Sequence, residues 1–403
     1  MKKLNLFATA AIVAMTGCTQ SESFDGLLTQ DLEISFEAFA GQNNTKVGFE
    51  KGKITDPDFQ FASVAYYTTE KDAWKTEASK VTPDWGDKGY LGTLWLDFND
   101  IKAVKSGNKI ISFKSASKKA YWPKKGYLTF FSWYPSTVPA EMSKGALKIE
   151  NYNIVSAADQ DLMVADPALD VFRTDADANY TPINGKDTAD YSGVKTIFRH
   201  KLTKIGVEAR VKNLGESNLD KFEVTIKNVE IVGVANKGTF QGDPMDYSHD
   251  AWTVDTTKRA NYNFPMPADN NLVKVSFPYD NDAPYYKKVV KDQIMLLPQT
   301  RIEMGPNAVL KLTCDLEYTV KGANVPIVEK NYVYQTTISD LSWDKTNDEW
   351  VENPQKEDGP KYVGWGINKY VIYRLVLGLD EIEWAPEVAD WDKPEYVVPI
   401  DVQ

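Results

Sequence analysis

Residues 309–320 read VLKLTCDLEYTV and alternate apolar and polar side chains over their whole length. Successive side chains of a β-strand point to opposite faces of a sheet, whereas a helix repeats every 3.6 residues. The period of two therefore predicts a strand with one face in a hydrophobic core and the other in solvent. Cys314 lies on the apolar face, where we expect a buried side chain without chemistry. The apolar positions are Leu310, Leu312, Cys314, Leu316, Tyr318 and Val320.

The same alternation recurs along most of the 403-residue chain, and no long stretch has helical periodicity. Residues 170–193 are rich in Asp, Thr, Asn, Pro and Gly, which are typical of turns and linkers, and they separate two series of strands. The sequence predicts an all-β protein with two β-sandwich domains, residues 31–190 and 191–403. The predicted strands are 32–38, 59–68, 110–115, 119–122, 128–134, 147–152 and 162–165, then 194–211, 222–234, 272–277, 294–297, 309–320, 328–338 and 370–384.

The alternation changes phase at two places in the second series and is absent from a third segment. Changes of phase between Leu202 and Ile205 and after Ile226 each predict a bulge or a break in the strand. At the second change we expect the strand to cross from one sheet of a sandwich to the other. Residues 343–360 are polar and without period, which predicts a long exposed loop.

The first 18 residues determine the predicted compartment. Two lysines precede an apolar run, residues 4–15, and Thr-Gly precedes Cys18. This pattern is typical of a secretory signal and of a bacterial lipobox, in which the cysteine thiol is acylated after cleavage. We therefore assign residues 1–17 to a lipoprotein signal peptide, Cys18 to lipidation, and residues 18–30 to a tether. An ordinary signal peptide followed by a chance cysteine is the alternative.

Composition and motifs argue against several functional classes. The net charge is −11, with 46 Lys and Arg against 57 Asp and Glu, which disfavours nucleic acid as a partner. The two histidines, His200 and His249, accompany no nucleophile motif for acyl transfer. Tyr180 and Lys186 replace the glycine and the glutamate that an EF-hand loop needs. We predict that the protein is not an enzyme and that it uses no cofactor and no metal.

Eleven tryptophans offer a second interpretation. Aromatic rings pack against the C–H faces of sugars, and several tryptophans stand in possible loops. Trp343 and Trp350 have polar flanks and are the candidate glycan contacts. Core packing is expected for most of the others. The tryptophans in possible loops are Trp74, Trp85, Trp252, Trp343 and Trp350.

Several short motifs follow one another in a specific order along the chain. The order resembles that of the fimbrillin family, the Mfa-like type V pilus subunits and related surface lipoproteins of the Bacteroides group. The resemblance spans most of the chain. Its motifs are the lipobox leader, LEISF at 32–36, YWP at 121–123, YLTFFSWYP at 127–135, DLMVA at 161–165, FRHKLTKI at 198–205, KYVIYRLVL at 369–377, IEWAP at 382–386 and VADW at 388–391.

The resemblance implies two tandem transthyretin-like, Greek-key β-sandwich domains and assembly outside the outer membrane by donor-strand exchange. A sandwich that lacks one strand exposes unpaired backbone groups beside an apolar groove, and an extended strand from a partner satisfies both. The candidate displaced first strand carries Leu32, Ile34, Phe36 and Ala38.

Proteolytic maturation in this family follows an arginine, and here the chain departs from the pattern. Its arginines stand at 173, 199, 210, 259, 301 and 374, all far from the N-terminus. Lys46 and Lys51, just after the first strand, are therefore the candidate cleavage sites. An uncut anchor, terminator or tip-like subunit is the alternative. Residues 396–400 either extend into a neighbour or finish the last sheet.

The sequence and the resemblance together predict a fimbrial (pilus) subunit or accessory adhesin, exported as a lipoprotein, that serves cell adhesion. We expect it at the cell outer membrane, the cell surface or the fimbrium, held by its lipid anchor. The expected partners are other fimbrial subunits or a second copy, together with host or bacterial surface glycans or proteins. The alternative function is a monomeric cell-surface glycan-binding lipoprotein that uses exposed tryptophans.

Overall fold

A computed structural model of the protein describes most of the chain. Nearly all regular structure in the described residues is β, which confirms the predicted all-β class. No helix in this part of the chain is both long and apolar enough to cross a membrane. The described residues are 28–40, 52–123, 125–158, 161–172, 193–213, 218–278, 286–338, 341–344, 349–352, 365–379 and 382–390.

The described residues contain 26 strands and two short α-helices, α1 (Ala73–Ala78) and α2 (Arg301–Met304). Single 3-10 turns occur at Tyr247–His249 and Asp269–Asn271. The strands are β1 (Leu28–Glu33), β2 (Phe36–Ala40), β3 (Gln60–Thr68), β4 (Thr93–Ser106), β5 (Lys109–Ser115), β6 (Tyr121–Pro123), β7 (Tyr127–Tyr134), β8 (Glu141–Ser143), β9 (Ala146–Asn153), β10 (Met163–Ala165), β11 (Ala168–Val171), β12 (Val194–His200), β13 (Thr203–Val211), β14 (Leu219–Ala235), β15 (Lys237–Gln241), β16 (Ala251–Val254), β17 (Arg259–Asn263), β18 (Lys274–Phe277), β19 (Lys287–Lys288), β20 (Ile294–Leu296), β21 (Val309–Val320), β22 (Ile327–Thr337), β23 (Leu341–Asp344), β24 (Glu349–Glu352), β25 (Lys369–Leu377) and β26 (Ile382–Asp390).

The N-terminal strands form one eight-stranded sheet in the order β10-β12-β2-β5-β4-β3-β7-β11. Strand β10 also pairs with β7, so the first seven strands of this order close into a ring. Every strand of the ring contributes buried side chains to one hydrophobic cluster, with Phe61, Phe113 and Phe198 among the residues that are fully buried. The ring therefore has its own apolar interior, and it depends on each of its strands for closure.

The C-terminal strands form two five-stranded sheets. One has the order β17-β14-β21-β22 with β18 beside β14, and the other has the order β19-β13-β25-β26 with β20 beside β13. Val207 and Leu375 from one sheet and Val224 and Leu312 from the other belong to the same hydrophobic cluster. The alternating segment 309–320 thus forms β21, with its even-numbered residues from Leu310 to Leu316 buried as predicted.

Three strand pairings connect residues on either side of residue 190. Strand β12 belongs to the eight-stranded sheet, where it pairs with β2 and β10. A separate four-stranded sheet has the order β16-β15-β9-β8 and joins β9 to β15. The division into domains 31–190 and 191–403, and their transthyretin-like sandwich topology, stays a prediction.

The predicted changes of phase have different outcomes. Near the first change the strand does break, slightly earlier than predicted, because β12 ends at His200 and β13 begins at Thr203. After Ile226 the register of β14 shifts in a bulge, as predicted. The expected crossing between sheets is wrong, since β21 pairs with β14 on both sides of the bulge and keeps it in one sheet. The predicted loop 343–360 is also wrong at its start, where β23 pairs with β24.

Candidate functional site

The predicted first strand is divided between two sheets. Leu32 lies on β1, which pairs with β6, whereas Phe36 and Ala38 lie on β2 within the eight-stranded ring. Ile34 lies in the short connection between these two strands. Ile34, Phe36 and Ala38 are all buried, and the side chains of Phe36 and Ala38 are 0% exposed. The inward face predicted from the alternation is therefore confirmed for these three residues.

Strand β2 is held by backbone pairing on both sides. It runs parallel to β12, in a register from Phe36 opposite Val194 to Ala40 opposite Phe198. On its other side Phe36 lies opposite Phe113 of the antiparallel strand β5. Without β2, strands β12 and β5 would each lose a neighbour, and the ring would open between them.

Aromatic side chains line the groove that β2 occupies. The ring of Phe36 meets Phe61 and Phe130 edge to face, with centroid distances of 5.6 and 5.8 Å. Phe61 in turn packs against Phe113 and Phe198 at 5.8 and 5.1 Å. Burial of a phenylalanine side chain stabilises a fold by about 1.5–3 kcal/mol. Because these side chains are all buried, β2 fills a deep apolar groove and not a shallow depression on the surface.

Two ion pairs hold the outward side of the N-terminal segment, one made by β1 and one by β2. Glu37 Oε1 lies 3.4 Å from Lys53 Nζ, and Glu33 Oε2 lies 2.7 Å from Lys114 Nζ. All four side chains are half-buried, so solvent weakens both interactions. Each pair joins a carboxylate of the N-terminal segment to a lysine of the body of the protein.

The chain returns to β2 at residue 52. The N–H of Ala40 donates to the carbonyl of Gly52 at 2.7 Å, and the N–H of Ile54 donates to the carbonyl of Ala38 at 3.0 Å. The candidate cleavage sites Lys46 and Lys51 lie outside the described residues. They stand between two points of attachment to the same strand, so a cut at either would separate β2 from the body covalently.

Gly193 brings β12 into contact with the N-terminal strand. Its φ is +118°, and a Cβ at this position would lie 2.7 Å from the carbonyl oxygen of Ser35. That carbonyl accepts a 2.7 Å hydrogen bond from the N–H of Val194. Only glycine combines this backbone conformation with such a close approach.

Gly193→Ala is expected to lower the free energy of unfolding by about 1–3 kcal/mol, because the new methyl group strains the backbone and pushes against Ser35. Urea denaturation of the purified protein measures the loss. Gly107→Ala is the matched control, since that glycine also has a positive φ but an added Cβ meets nothing within 4 Å. Equal losses in the two variants would contradict the assigned contact.

The two candidate glycan residues are neighbours on paired strands, whereas the three other tryptophans in predicted loops are buried or partly buried. Trp343 and Trp350 lie directly opposite each other in the pairing of β23 with β24. Trp74 and Trp85 are core residues, so their assignment to possible sugar platforms is wrong. Trp252 is partly buried, and its Nε1–H donates to the carbonyl of Lys201 at 2.7 Å. Cys18, the candidate lipidation site, lies outside the described residues.

The side chains considered for chemistry have structural partners. His200 Nδ1 lies 3.0 Å from Asp161 Oδ2. Cys314 is buried as predicted, and this burial, with a smaller contribution from Asp315, raises the pKa of its thiol to about 12. At neutral pH the thiol is therefore protonated and unreactive. Among the described residues, no group of three or more His, Cys, Asp or Glu could hold a metal ion.

Sequence reasoning missed a buried charged cluster where β12 meets β13. Lys201 Nζ lies 2.6 Å from Asp250 Oδ2, and both side chains are at most 5% exposed. Arg199 makes two hydrogen bonds to Asp166, of 2.7 and 2.9 Å, and lies over the ring of Tyr247. The run Arg-His-Lys at 199–201 could have indicated this cluster in the sequence. Three basic residues beside buried apolar positions need acidic partners.

Comparison with protein-family models identifies one family. The family model described as fimbrillin-like matches residues 43–391, which is most of the chain. The fold is similar to that of a fimbrial protein from Bacteroides vulgatus, with 13% identity, a TM-score of 0.48, and coverage of 89% of this chain and 99% of that one. It is also similar to the tip fimbrial protein Mfa3 from Porphyromonas gingivalis with C-terminal truncation, with 10% identity, a TM-score of 0.38, and coverage of 89% and 100%. No curated protein is a significant match.

Proposed function

The chain belongs to the fimbrillin-like family, and from this premise we propose that it is a fimbrial subunit or accessory adhesin assembled by donor-strand exchange. In this proposal it is exported as a lipoprotein through Cys18 and reaches the outer membrane or the cell surface. There it joins other fimbrial subunits, or further copies of itself, and serves adhesion rather than catalysis.

The observation that carries the proposal is the position of β2. Strand β2 is buried inside the ring. It nevertheless belongs to the N-terminal segment, which is joined covalently to the body of the protein through residues 41–51. Its removal would uncover the backbone of β12 and β5 and the aromatic groove around Phe61. An extended strand of another subunit could satisfy both needs at once.

Exchange requires that β2 first lose its covalent link. A cut after Lys46 or Lys51 would leave the N-terminal segment held by the backbone pairing of β1 with β6 and of β2 with its neighbours, by its two ion pairs and by its buried side chains. An incoming strand would then compete for the same positions along β12. Because the apolar groove is costly to expose to water, replacement through a joint intermediate is expected rather than release before binding.

Cleavage of the folded protein tests this proposal. Limited digestion of the mature chain with a lysine-specific protease, followed by mass spectrometry, is expected to yield a body that begins at residue 47 or 52. Native gels and electron microscopy should then show a ladder of oligomers that uncut protein does not form. The matched control is Lys46→Gln with Lys51→Gln, which should remain monomeric under the same digestion. Oligomers in the control, or none from cut wild-type protein, would contradict the proposal.

The position of Trp343 and Trp350 favours the alternative of a glycan-binding surface lipoprotein enough to merit its own test. Both residues lie at one register position of β23 and β24. If the alternative is correct, binding to a polysaccharide array should saturate and should be lost in Trp343→Ala and in Trp350→Ala. Full binding by both variants would exclude these two residues as contacts.

A further inference from the structure

The groove occupied by the end of β1 and by β2 carries positive charge at two fixed points. Lys53 and Lys114 belong to the body of the protein, and their carboxylate partners Glu37 and Glu33 belong to the N-terminal segment. A cut between Ala40 and Gly52 leaves both lysines behind and allows both glutamates to leave. Displacement of the segment therefore takes two negative charges from beside two half-buried lysines.

We infer that this groove selects an incoming strand that carries carboxylates opposite Lys53 and Lys114, spaced four residues apart on its outward face. The inference deepens the proposed function and rests on it, because it concerns the partner that replaces β2. The spacing follows from Glu33 on β1 and Glu37 on β2, which share the outward face. Burial alternates without a break from half-buried Glu33 to buried Ala38, across the join between the two strands. The occupant is thus an acidic, amphipathic strand of another subunit rather than any apolar strand.

The buried face of the groove adds a second requirement. An incoming strand needs an aromatic side chain to replace Phe36 between Phe61 and Phe130. It needs a small side chain in place of Ala38, which is fully buried opposite the buried residue Thr196. The resulting pattern is carboxylate, apolar, any residue, aromatic, carboxylate, small. Apolar contacts supply most of the affinity, while the two charges discriminate between strands that would otherwise fit.

The effect of the two charges on strand binding is limited by solvent. The four side chains are between 14% and 34% exposed, so solvent screens both pairs in part. Ion pairs that solvent reaches stabilise only weakly, and placing like charges together destabilises by a similarly small amount. Reversal of both carboxylates is therefore expected to weaken binding of a strand about tenfold at low salt, with a smaller ratio at high salt.

A nicked form of the full chain provides the test. A recognition sequence for a site-specific protease is placed between Ala40 and Gly52, and the folded protein is cut there so that the native segment remains bound. Uptake of a fluorescent peptide of residues 28–40 is then followed by anisotropy. The peptide with Glu33→Lys and Glu37→Lys is compared with the native sequence. A native peptide with four lysines added before Leu28 controls for total charge, because reversal of both carboxylates changes the charge by +4.

The expected result is uptake of the native and control peptides and about tenfold weaker uptake of the reversed peptide. A nicked chain with Lys53→Glu and Lys114→Glu should reverse this preference. Equal uptake of native and reversed peptides by the wild-type chain would overturn the charge selection while leaving strand exchange intact. If the native peptide itself does not enter, strand exchange is wrong and the inference fails with it.

Discussion

Phe36→Ala is expected to lower the free energy of unfolding by about 3–5 kcal/mol, the range found when a buried phenylalanine is truncated. The side chain is fully buried and meets Phe61 and Phe130 edge to face, so its loss leaves a cavity in the interior of the ring. The same change should weaken the hold of the body on β2. In protein nicked between Ala40 and Gly52, the N-terminal segment should therefore leave faster than in nicked wild-type protein.

Urea denaturation and the rate of segment release measure these two effects. Ile111→Ala is the matched control, because Ile111 lies on the neighbouring strand β5 but is 47% exposed. Its truncation is expected to change stability by about 0.5 kcal/mol or less. A loss for Phe36→Ala no larger than for Ile111→Ala would show that β2 does not fill the aromatic groove.

Lys201→Met is expected to cost about 3–5 kcal/mol at pH 7, because it leaves the carboxylate of Asp250 buried without its cation. The ion pair measures 2.6 Å, and the N–H of Asp243 donates to the other oxygen of Asp250 at 2.7 Å. An exposed ion pair between Lys221 of β14 and Glu317 of β21 supplies the control. There Lys221→Met should cost about 1 kcal/mol or less.

The loss in Lys201→Met should shrink as the pH falls. Burial raises the pKa of Asp250 even in the wild-type protein, where Lys201 opposes the effect, and removal of Lys201 raises that pKa further. The folded variant then binds a proton that the unfolded chain, with a carboxyl pKa of about 4, has already released. Stability lost at pH 7 is therefore regained as the pH falls through the raised pKa. Urea denaturation at several pH values measures the trend.

A second substitution separates the buried charge from simple loss of packing. Asp250→Leu in the Lys201→Met background should recover much of the stability at pH 7, because no charge then remains without a partner. A double variant as unstable as Lys201→Met, with a loss that does not change with pH, would contradict this explanation.

Residues with regular alternation were predictable from the sequence. The strand at 309–320 and the inward positions Ile34, Phe36 and Ala38 follow from period two alone, because burial of one face leaves only one register. Strand β4 was missed. Its pairing with β3 contains two shifts of register, and each shift breaks the period on which the prediction depends.

Long-range contacts were beyond the sequence for a different reason. Side-chain alternation indicates which face of a strand is buried, but it does not indicate which other strand lies beside it in the sheet. The parallel pairing of β2 with β12 and the ion pair of Lys201 with Asp250 both join residues far apart in the chain. The lysines of the body that face Glu33 and Glu37 were missed for the same reason, although they define the charge of the candidate groove.

Loss of β2 by cleavage and exchange can be read directly from the N-terminus of the protein in its assembled state. Fibres or adhesive complexes isolated from the cell surface would be dissociated, and the N-terminal peptide of this chain identified by mass spectrometry. The expected result is a body that begins at residue 47 or 52, with β2 absent from the assembled chain. A chain that begins at Cys18 and still carries β2 in those assemblies would contradict it.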